Sequence, residues 1–340
     1  MSPYILMILL LGLGLGTATT LTSSHWLLAW MGLEMNTLAI LPLMAQHHHP
    51  RAVEASTKYF LTQAAAAAVL LFASTTNAWL TGQWDIHQLS HPLPATMVSL
   101  ALALKIGLAP LHAWLPEVLQ GLNLMTGLVL STWQKIAPFA VLLQLQSVPS
   151  TLMIFMGLAS TLVGGWGGLN QTQLRKILAY SSIAHLGWMT LILQFSPPLT
   201  LLALAIYFVM TFSTFLVFKH SASTTINALA TSWSKAPLLT ALTPLVLLSL
   251  GGLPPLTGFG PKWLILQELS KQGLPLVATI AALTALLSLY FYLRLSYAMA
   301  LTLSPNTISG LTPWRLPSPK PTFPLAISTA AAISLLPLTP

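Results

Sequence analysis

Apolar runs of roughly twenty residues, separated by short polar segments, cover nearly the whole chain. A run of this length lets an α-helix cross the ~30 Å hydrocarbon core of a bilayer. The pattern predicts about eleven transmembrane helices. They lie near 3–22, 25–45, 58–80, 96–121, 124–145, 150–170, 174–195, 199–220, 237–268, 275–300 and 322–338. Since no polar stretch is long enough for a soluble domain, we expect an all-α polytopic membrane protein.

Glycine and proline interrupt two of these runs. The run at 96–121 contains KIGLAPLHAWLPE, and the run at 237–268 contains LSLGGLPPLTGFGPKW. Proline removes a backbone donor and clashes with the preceding helical turn. Non-helical backbone at membrane depth survives only inside protein or beside a wet cavity. Each segment therefore predicts a discontinuous helix beside an ion or substrate route.

The two interrupted runs occupy the same place in two successive sets of five helices. One is the fourth of helices 1–5 and the other is the fourth of helices 6–10. Because five is odd, consecutive five-helix units must enter the membrane with opposite orientations, an arrangement typical of transporters. We predict inverted units at 1–146 and 147–300, followed by a loop and a C-terminal transmembrane helix within 301–340.

Composition supports the membrane assignment and removes several kinds of site. Charged residues are 5% of the 340, against about a quarter in soluble proteins, and the mean hydropathy is +0.78. The chain has no cysteine, which excludes disulfides, iron–sulfur clusters and thiolate metal sites. The N-terminus has no basic segment before its first apolar run, so we expect no cleaved signal peptide.

The basic residues indicate an orientation. Of 13 lysines and arginines, nine lie in the loops and at the helix edges after even-numbered helices, and only Lys271 lies after an odd-numbered one. The nine are Arg51, Lys58, Arg175, Lys176, Lys219, Lys235, Arg294, Arg315 and Lys320. The positive-inside rule then puts the N-terminus inside and the C-terminus outside. The net charge of +8 is explained by this topology, and no basic patch predicts nucleic-acid binding.

Four charged residues fall inside predicted spans: Glu34, Lys105, Lys135 and Lys262. A charge at the bilayer centre costs at least ~2.5–3.5 kcal/mol, so charges at this depth are usually functional. The alternative is that they lie at helix edges and extend to the head groups. One carboxylate cannot neutralise three lysines, and burial favours the neutral form of an amine. Such an amine can carry protons, and a Glu–Lys pair can act as its switch.

Two histidines are further candidates for a proton relay. His185 lies in the middle of the seventh span, and the interval from it to Lys262 resembles that from Glu34 to Lys105. The intervals suggest that His185 takes the place of Glu34 in the second unit. His112 lies at the first interruption. For both residues, a hydrogen-bonded packing role remains the alternative.

Other polar residues predict less. The run His47, His48 and His49 could bind a metal, but a solvated inside loop is the better explanation of it. Glu117 either faces the cavity or ends a half-helix. The GLGLG segment is no dinucleotide fingerprint because no strand precedes it, and its glycines at 12 and 16 predict close helix packing.

Three long segments together resemble the antiporter-like subunits of respiratory complex I. They are KIGLAPLHAWLPE, LSLGGLPPLTGFGPKW and GGLNQTQLRKILAYSSIAHLGWM at 167–189, and the resemblance extends over essentially the whole chain. It implies a proton-translocating subunit of the membrane arm of the NADH:ubiquinone oxidoreductase, located in the mitochondrial inner membrane. The N-terminus would face the matrix and the C-terminus the intermembrane space. Larger family members carry fourteen helices.

The resemblance also assigns roles. It pairs Glu34 with Lys105, makes Lys135 the central lysine and Lys262 the terminal, outward-connecting one, and places His112 and His185 on the central axis. NADH, FMN, iron–sulfur clusters and ubiquinone belong to other subunits, so this chain is expected to bind no cofactor and no metal. Its expected partners are other membrane-arm subunits, including neighbouring antiporter-like ones, and phospholipids. The alternative function is a stand-alone cation/proton antiporter, which would favour clustered buried carboxylates.

Overall fold

The computed structural model describes residues 2–46, 49–89, 91–145, 149–234, 237–300 and 322–334. All regular elements within these ranges are helical, as predicted, and the only pairing of extended backbone there consists of two isolated β-bridges. The chain divides into two compact units, Met1–Ala159 and Ser160–Pro340.

The first unit contains seven helices and the first part of an eighth. They are α1 Pro3–Thr22, α2 Trp26–Met44, α3 Pro50–Thr81, α4 Pro92–Ile106, α5 Trp114–Gly121, α6 Leu124–Ser131, α7 Trp133–Gln144 and α8 Ser150–Gly168. Proline begins α1, α3 and α4, where its missing N–H has no helical partner to lose. His49 and His91 cap α3 and α4, because each ring accepts a backbone N–H of the first turn.

The second unit contains the end of α8 and the later helices. They are α9 Leu174–Ile192, α10 Pro197–His220, α11 Ile226–Ala230, a 3₁₀ turn at Thr231–Ser234, α12 Pro237–Gly251, α13 Phe259–Lys271, α14 Pro275–Ala300 and α15 Thr322–Ser334. Almost every residue of α9 is buried. Its many polar side chains are therefore kept away from the apolar surroundings of a membrane protein. The predicted loop at 301–321, with Arg315 and Lys320, lies outside the described residues, as do Lys235, His47 and His48.

Within the described ranges, seven stretches are long and apolar enough to cross a membrane: α1, α2, α3, α6 with α7, α8, α10 and α14. Helices α4, α12 and α15 are apolar but shorter. Two of the predicted helices differ from the structure. Helix α3 begins at Pro50 rather than near 58, because His49 caps it. The predicted fifth helix is divided at Thr132, which lies between α6 and α7.

Both predicted helix interruptions are confirmed. Helix α4 ends at Gly107, whose φ of +87° is the left-handed conformation that commonly terminates helices, and the chain becomes helical again at Trp114. Helix α12 ends in the same way at Gly252, with φ +80°, and α13 begins at Phe259. Each break exposes backbone groups that lack helical partners.

A backbone bridge ties two loops together in the first unit. His25 before α2 faces Asp85 before α4. The N–H of Trp26 donates to the carbonyl of Trp84 over 3.0 Å, and the N–H of Ile86 donates to that of Ser24 over 2.9 Å. This bridge fixes the start of α2 against the loop that leads into α4.

The second unit contains a bridge of the same pattern. Gln173 before α9 faces Thr225 before α11. Here the N–H of Leu174 donates to the carbonyl of Thr224 over 3.1 Å, and the N–H of Ile226 donates to that of Thr172 over 3.2 Å. The recurrence of this pattern supports the prediction of two repeated units.

Candidate functional site

Glu34 on α2 and Lys105 on α4 form an ion pair. Lys105 Nζ lies 3.4 Å from Glu34 Oε1, and the Lys105 side chain is only 2% exposed, against 22% for Glu34. The Thr37 hydroxyl contacts Glu34 Oε2 at 3.3 Å. Lys105 lies in the last turn of α4, where the partial negative charge of the helix end favours a cation. The end of α4 at the break therefore contributes part of the electrostatic field that stabilises the charged amine of Lys105.

Side chains of α3 and of the half-helix α5 donate hydrogen bonds to carbonyl groups at the end of α4. The Gln63 amide on α3 donates to the carbonyl of Lys105 over 3.4 Å. The Trp114 indole on α5 donates to the carbonyl of Leu104 over 3.0 Å. These carbonyls lack α-helical partners because α4 stops. Side chains of neighbouring helices thus stabilise the break that carries Lys105.

A small polar cavity lies beside the Lys105 side chain. Its walls come from Leu33, Asn36, Thr37, Tyr59, Gln63, Lys105, Gln134 and Pro138. The space open to the centre of a water molecule is about 10 Å³, roughly what one water needs. Asn36 is 2% exposed, and neither atom of its amide has a hydrogen-bond partner among the described residues. A water molecule in the cavity would satisfy a buried amide that has no other partner.

Lys135 is buried in the first unit, as predicted for a central lysine. Its side chain lies in the first turn of α7 and is 2% exposed. The preceding residue, Gln134, lines the cavity beside Lys105 and donates to the carbonyl of Asn36 over 3.4 Å. The start of α7 thus supplies both the buried amine and a wall of the cavity.

His112 lies in the break between α4 and α5 and is partly exposed. Its Nδ1 is 3.3 Å from the carbonyl oxygen of Pro110. No atom of His112 lines the cavity beside Lys105. The structure therefore brings Glu34 and Lys105 together but leaves His112 outside their immediate surroundings.

Lys262 lies in the first turn of α13, just after the second break. Its Nζ donates to the carbonyl oxygen of Gly251, the last residue of α12, over 2.8 Å. The lysine side chain lies against Gly252, where an added Cβ would be 2.8 Å from Lys262 Cδ. Helix carbonyls at a C-terminus have no helical donors, so the amine satisfies one of them.

His185 lies near Lys262. The histidine is 9% exposed on α9, and its ring centroid is 5.5 Å from that of Tyr207. His185 and Lys262 both line a cavity with about 20 Å³ open to the centre of a water molecule, which is enough for one water. The cavity makes a water-mediated connection between the two side chains possible.

The two break lysines lie on opposite sides of their breaks, so the correspondence suggested by the intervals is wrong. Lys105 lies two residues before Gly107, whereas Lys262 lies ten residues after Gly252. The residue ten after Gly107 is Glu117. Counted from the left-handed glycines, Lys262 therefore corresponds to Glu117.

The predicted correspondence between His185 and Glu34 is also displaced along the helix. Glu34 is nine residues after the bridge residue His25, and His185 is twelve residues after the bridge residue Gln173. In this register His185 corresponds to Thr37, the residue that contacts the Glu34 carboxylate. The difference of three residues is almost one helical turn, so the same helix face is involved.

Glu117 lies in the first turn of α5, so it does not end the half-helix, and it lies outside the cavity beside Lys105. Its Oε2 is 2.8 Å from Lys58 Nζ, which is also 2.8 Å from Glu54 Oε1. Sequence reasoning missed Asn36, Gln63 and Gln134, although each is a buried or half-buried amide inside an apolar run. Among the described residues, no cluster of three or more His, Asp or Glu could hold a metal ion.

The chain resembles known proteins over its full length. Residues 23–288 match the family model described as "NADH:quinone oxidoreductase/Mrp antiporter, TM", and residues 289–340 match "NADH dehydrogenase subunit 2 C-terminus". NADH-ubiquinone oxidoreductase chain 2 of Tetraodon nigroviridis is 72% identical over 340 residues, which are 100% of this chain and 98% of the relative. The protein of that name from Salmo salar is 72% identical over 341 residues, with the same coverage.

A solved structure has the same fold. It is a chain of "Respiratory complex I from Thermus thermophilus with bound Aureothin". The TM-score is 0.88 and the sequence identity 30%, over 100% of this chain and 78% of that chain.

Proposed function

The chain belongs to the NADH:quinone oxidoreductase/Mrp antiporter family, in its NADH dehydrogenase subunit 2 branch, and on this premise we propose that it carries a proton pathway in the membrane arm of an NADH:ubiquinone oxidoreductase. Its partners are the other membrane-arm subunits, including neighbouring antiporter-like ones, and phospholipids. Its membrane is the mitochondrial inner membrane. We assign the N-terminus to the matrix and the C-terminus to the intermembrane space, and the distribution of basic residues among the loops supports this assignment.

The observation that carries this proposal is the buried pair of Glu34 and Lys105 at a helix break. Their 3.4 Å separation is long for a charge-assisted hydrogen bond. A pair that is close but not tightly bonded can separate and re-form without a large change in the fold. When it separates, the amine loses the charge that stabilises its protonated form, and it releases a proton more readily.

Water in the adjacent cavity provides the acceptor. The cavity beside Lys105 has amide walls formed by Asn36, Gln63 and Gln134. A water molecule there can accept a proton from Lys105 and donate a hydrogen bond to an amide oxygen. Lys135, in the same unit, takes the next position of the relay.

The second unit contributes a relay of a different composition. It uses His185 and Lys262, which line one cavity, in place of a carboxylate and a lysine. An imidazole can accept a proton on one nitrogen and release it from the other. Lys262, held at the end of α12, is the terminal group, and His112 at the first break serves as an accessory group near the surface of the first unit.

Electron transfer takes place in other subunits. We assign NADH, FMN, the iron–sulfur clusters and ubiquinone to those subunits, because this chain has no cysteine and its sequence contains no nucleotide-binding fingerprint. The chain thus contributes to the NADH:ubiquinone reductase as a proton-translocating subunit.

The test is proton translocation by the assembled complex with Glu34→Gln. We expect assembly to be largely retained and the number of protons moved per NADH oxidised to fall. Glu54→Gln is the matched control, because Glu54 is an exposed carboxylate on α3 that lies outside the cavity. Normal stoichiometry in an assembled Glu34→Gln complex would contradict the proposed pathway, and NADH-independent cation exchange by the isolated chain would favour a stand-alone antiporter.

A further inference from the structure

The second unit contains a larger cavity, which shares Lys262 and Trp188 with the His185 cavity and is otherwise separate from the proton pathway. About 210 Å³ of it is open to the centre of a water molecule, more than the ~150 Å³ of an apolar cavity that stays dry and binds benzene. It lies beside the break between α12 and α13 and extends along α14. Its apolar walls are formed by Trp188, Leu253, Phe259, Trp263, Leu266, Ala282, Ala285, Leu286 and Leu289.

This cavity is a groove that opens at the surface of its unit. Trp263 on α13 is 58% exposed and Leu286 on α14 is 59% exposed, and both line it. The groove is too apolar to hold ordered water along its length. Its shape and surface therefore suit a hydrocarbon chain.

One end of the groove is polar. Lys262 is the only ionisable residue among the described residues that line it, and Gly251 and Gly252 lie at the same end. The ammonium group has three donors, and the hydrogen bond to the Gly251 carbonyl uses one of them. The remaining donors can bind an acceptor in the groove.

We propose that this groove binds a single-chain carboxylic acid of the fatty-acid class, with its carboxyl group on Lys262 and its hydrocarbon chain along α13 and α14. The apolar walls match a hydrocarbon chain, and the single cation, Lys262, matches a ligand with one compact acidic head group. The inference goes beyond the proton pathway, because binding needs only an amine at the end of an apolar groove.

A phospholipid fits the same groove less well. Its phosphodiester remains charged at all relevant pH values, and a charge costs several kcal/mol at the depth of a helix break. A carboxylic acid can reach Lys262 in its neutral form. In addition, the lining contains no second cation for a phosphate group.

The experiment is photo-crosslinking of the purified complex in phospholipid nanodiscs with diazirine-bearing palmitic acid. The labelled peptides are identified by mass spectrometry. We expect labels on α13 and α14 that unlabelled palmitic acid at about ten times its Kd suppresses roughly tenfold, and that methyl palmitate does not suppress. Equal suppression by the methyl ester, or the absence of these labels, would overturn the proposal.

Two variants locate the binding site. Leu286→Trp should fill the groove and remove the label. Leu283→Trp is the control, because Leu283 lies one turn earlier on α14, is 65% exposed and does not line the groove. Loss of label in the first variant alone supports the groove, and retention of label in Leu286→Trp would show that the acid binds elsewhere.

Discussion

Lys262 Nζ bonds the carbonyl oxygen of Gly251 across a break in the helix, over 2.8 Å. The side chain that makes this contact passes over Gly252 at a distance that leaves no room for a methyl group. The glycine thus serves two purposes: it adopts a left-handed φ of +80°, and it gives the lysine a path to the end of α12.

Gly252→Ala should therefore displace Lys262. The new Cβ would lie 2.8 Å from Lys262 Cδ and 3.0 Å from its Nζ, so the flexible side chain must move away from Gly251. We expect lower proton translocation per NADH oxidised and a moved lysine in the structure of the variant. The left-handed backbone adds a strain of about 1 kcal/mol.

Gly273→Ala separates these two effects. Gly273 is also left-handed, with φ +72°, but its Cβ would meet no atom within 4 Å. This variant should be strained to a similar extent and pump normally. Equal pumping defects in both variants would attribute the loss to the backbone and not to Lys262.

A double substitution tests whether Glu34 and Lys105 stabilise each other. Removal of one partner of a buried ion pair leaves an uncompensated charge, which costs about 3–5 kcal/mol in proteins. The 22% exposure of Glu34 should place this pair at the lower end. We expect Glu34→Gln with Lys105→Met to assemble better and melt higher than Glu34→Gln alone. Additive losses of thermal stability would mean that the two groups do not interact.

Lys135→Arg tests whether a lysine relays protons or only supplies charge. Arginine keeps the positive charge but effectively never deprotonates, so it can form pairs but cannot relay. We expect Lys135→Arg to assemble and to pump about as poorly as Lys135→Met. The measurement is proton translocation per NADH oxidised in coupled vesicles at matched complex content. Near-normal pumping by the arginine variant would leave Lys135 with a purely electrostatic role.

Asn36→Leu tests the water site beside Lys105. Leucine has a similar size but cannot bind water, so we expect the ordered water to disappear from a high-resolution map and pumping to fall several-fold. Asn77→Leu is the control, since Asn77 is also buried and its Oδ1 also lacks a partner among the described residues, yet it lies outside the cavity. Unchanged water density in Asn36→Leu would refute the assignment.

The apolar pattern and the glycine–proline segments predicted the helical fold and both helix breaks. They succeed because a bilayer demands long apolar helices and because few residues terminate a helix as firmly as a left-handed glycine. The same reasoning singled out Glu34 and Lys105 as charges inside apolar runs, whereas their pairing was implied by the resemblance to the antiporter-like subunits of complex I.

The intervals between residues gave the wrong correspondence between residues of the two units. They matched Lys262 with Lys105, although the two lysines lie on different sides of their breaks. The interval between two residues includes loops and helices whose lengths vary independently. Changes in these lengths can cancel, so similar intervals do not show that two pairs of residues occupy the same structural positions. The amides of Asn36 and Gln63 were missed for another reason: a neutral polar residue in an apolar run has no signature that separates a cavity wall from a packing contact.

The hydrogen bond between Lys262 and Gly251 also bears on charge balance. Peptide dipoles concentrate about half a negative charge at the end of α12, so the interrupted helix itself does part of what an acidic side chain would do. A chain with 13 lysines and arginines and only five acidic residues can therefore keep this amine inside the membrane. A mutational screen of aspartates and glutamates for the counter-ion of Lys262 would miss it, because the group responsible belongs to the main chain.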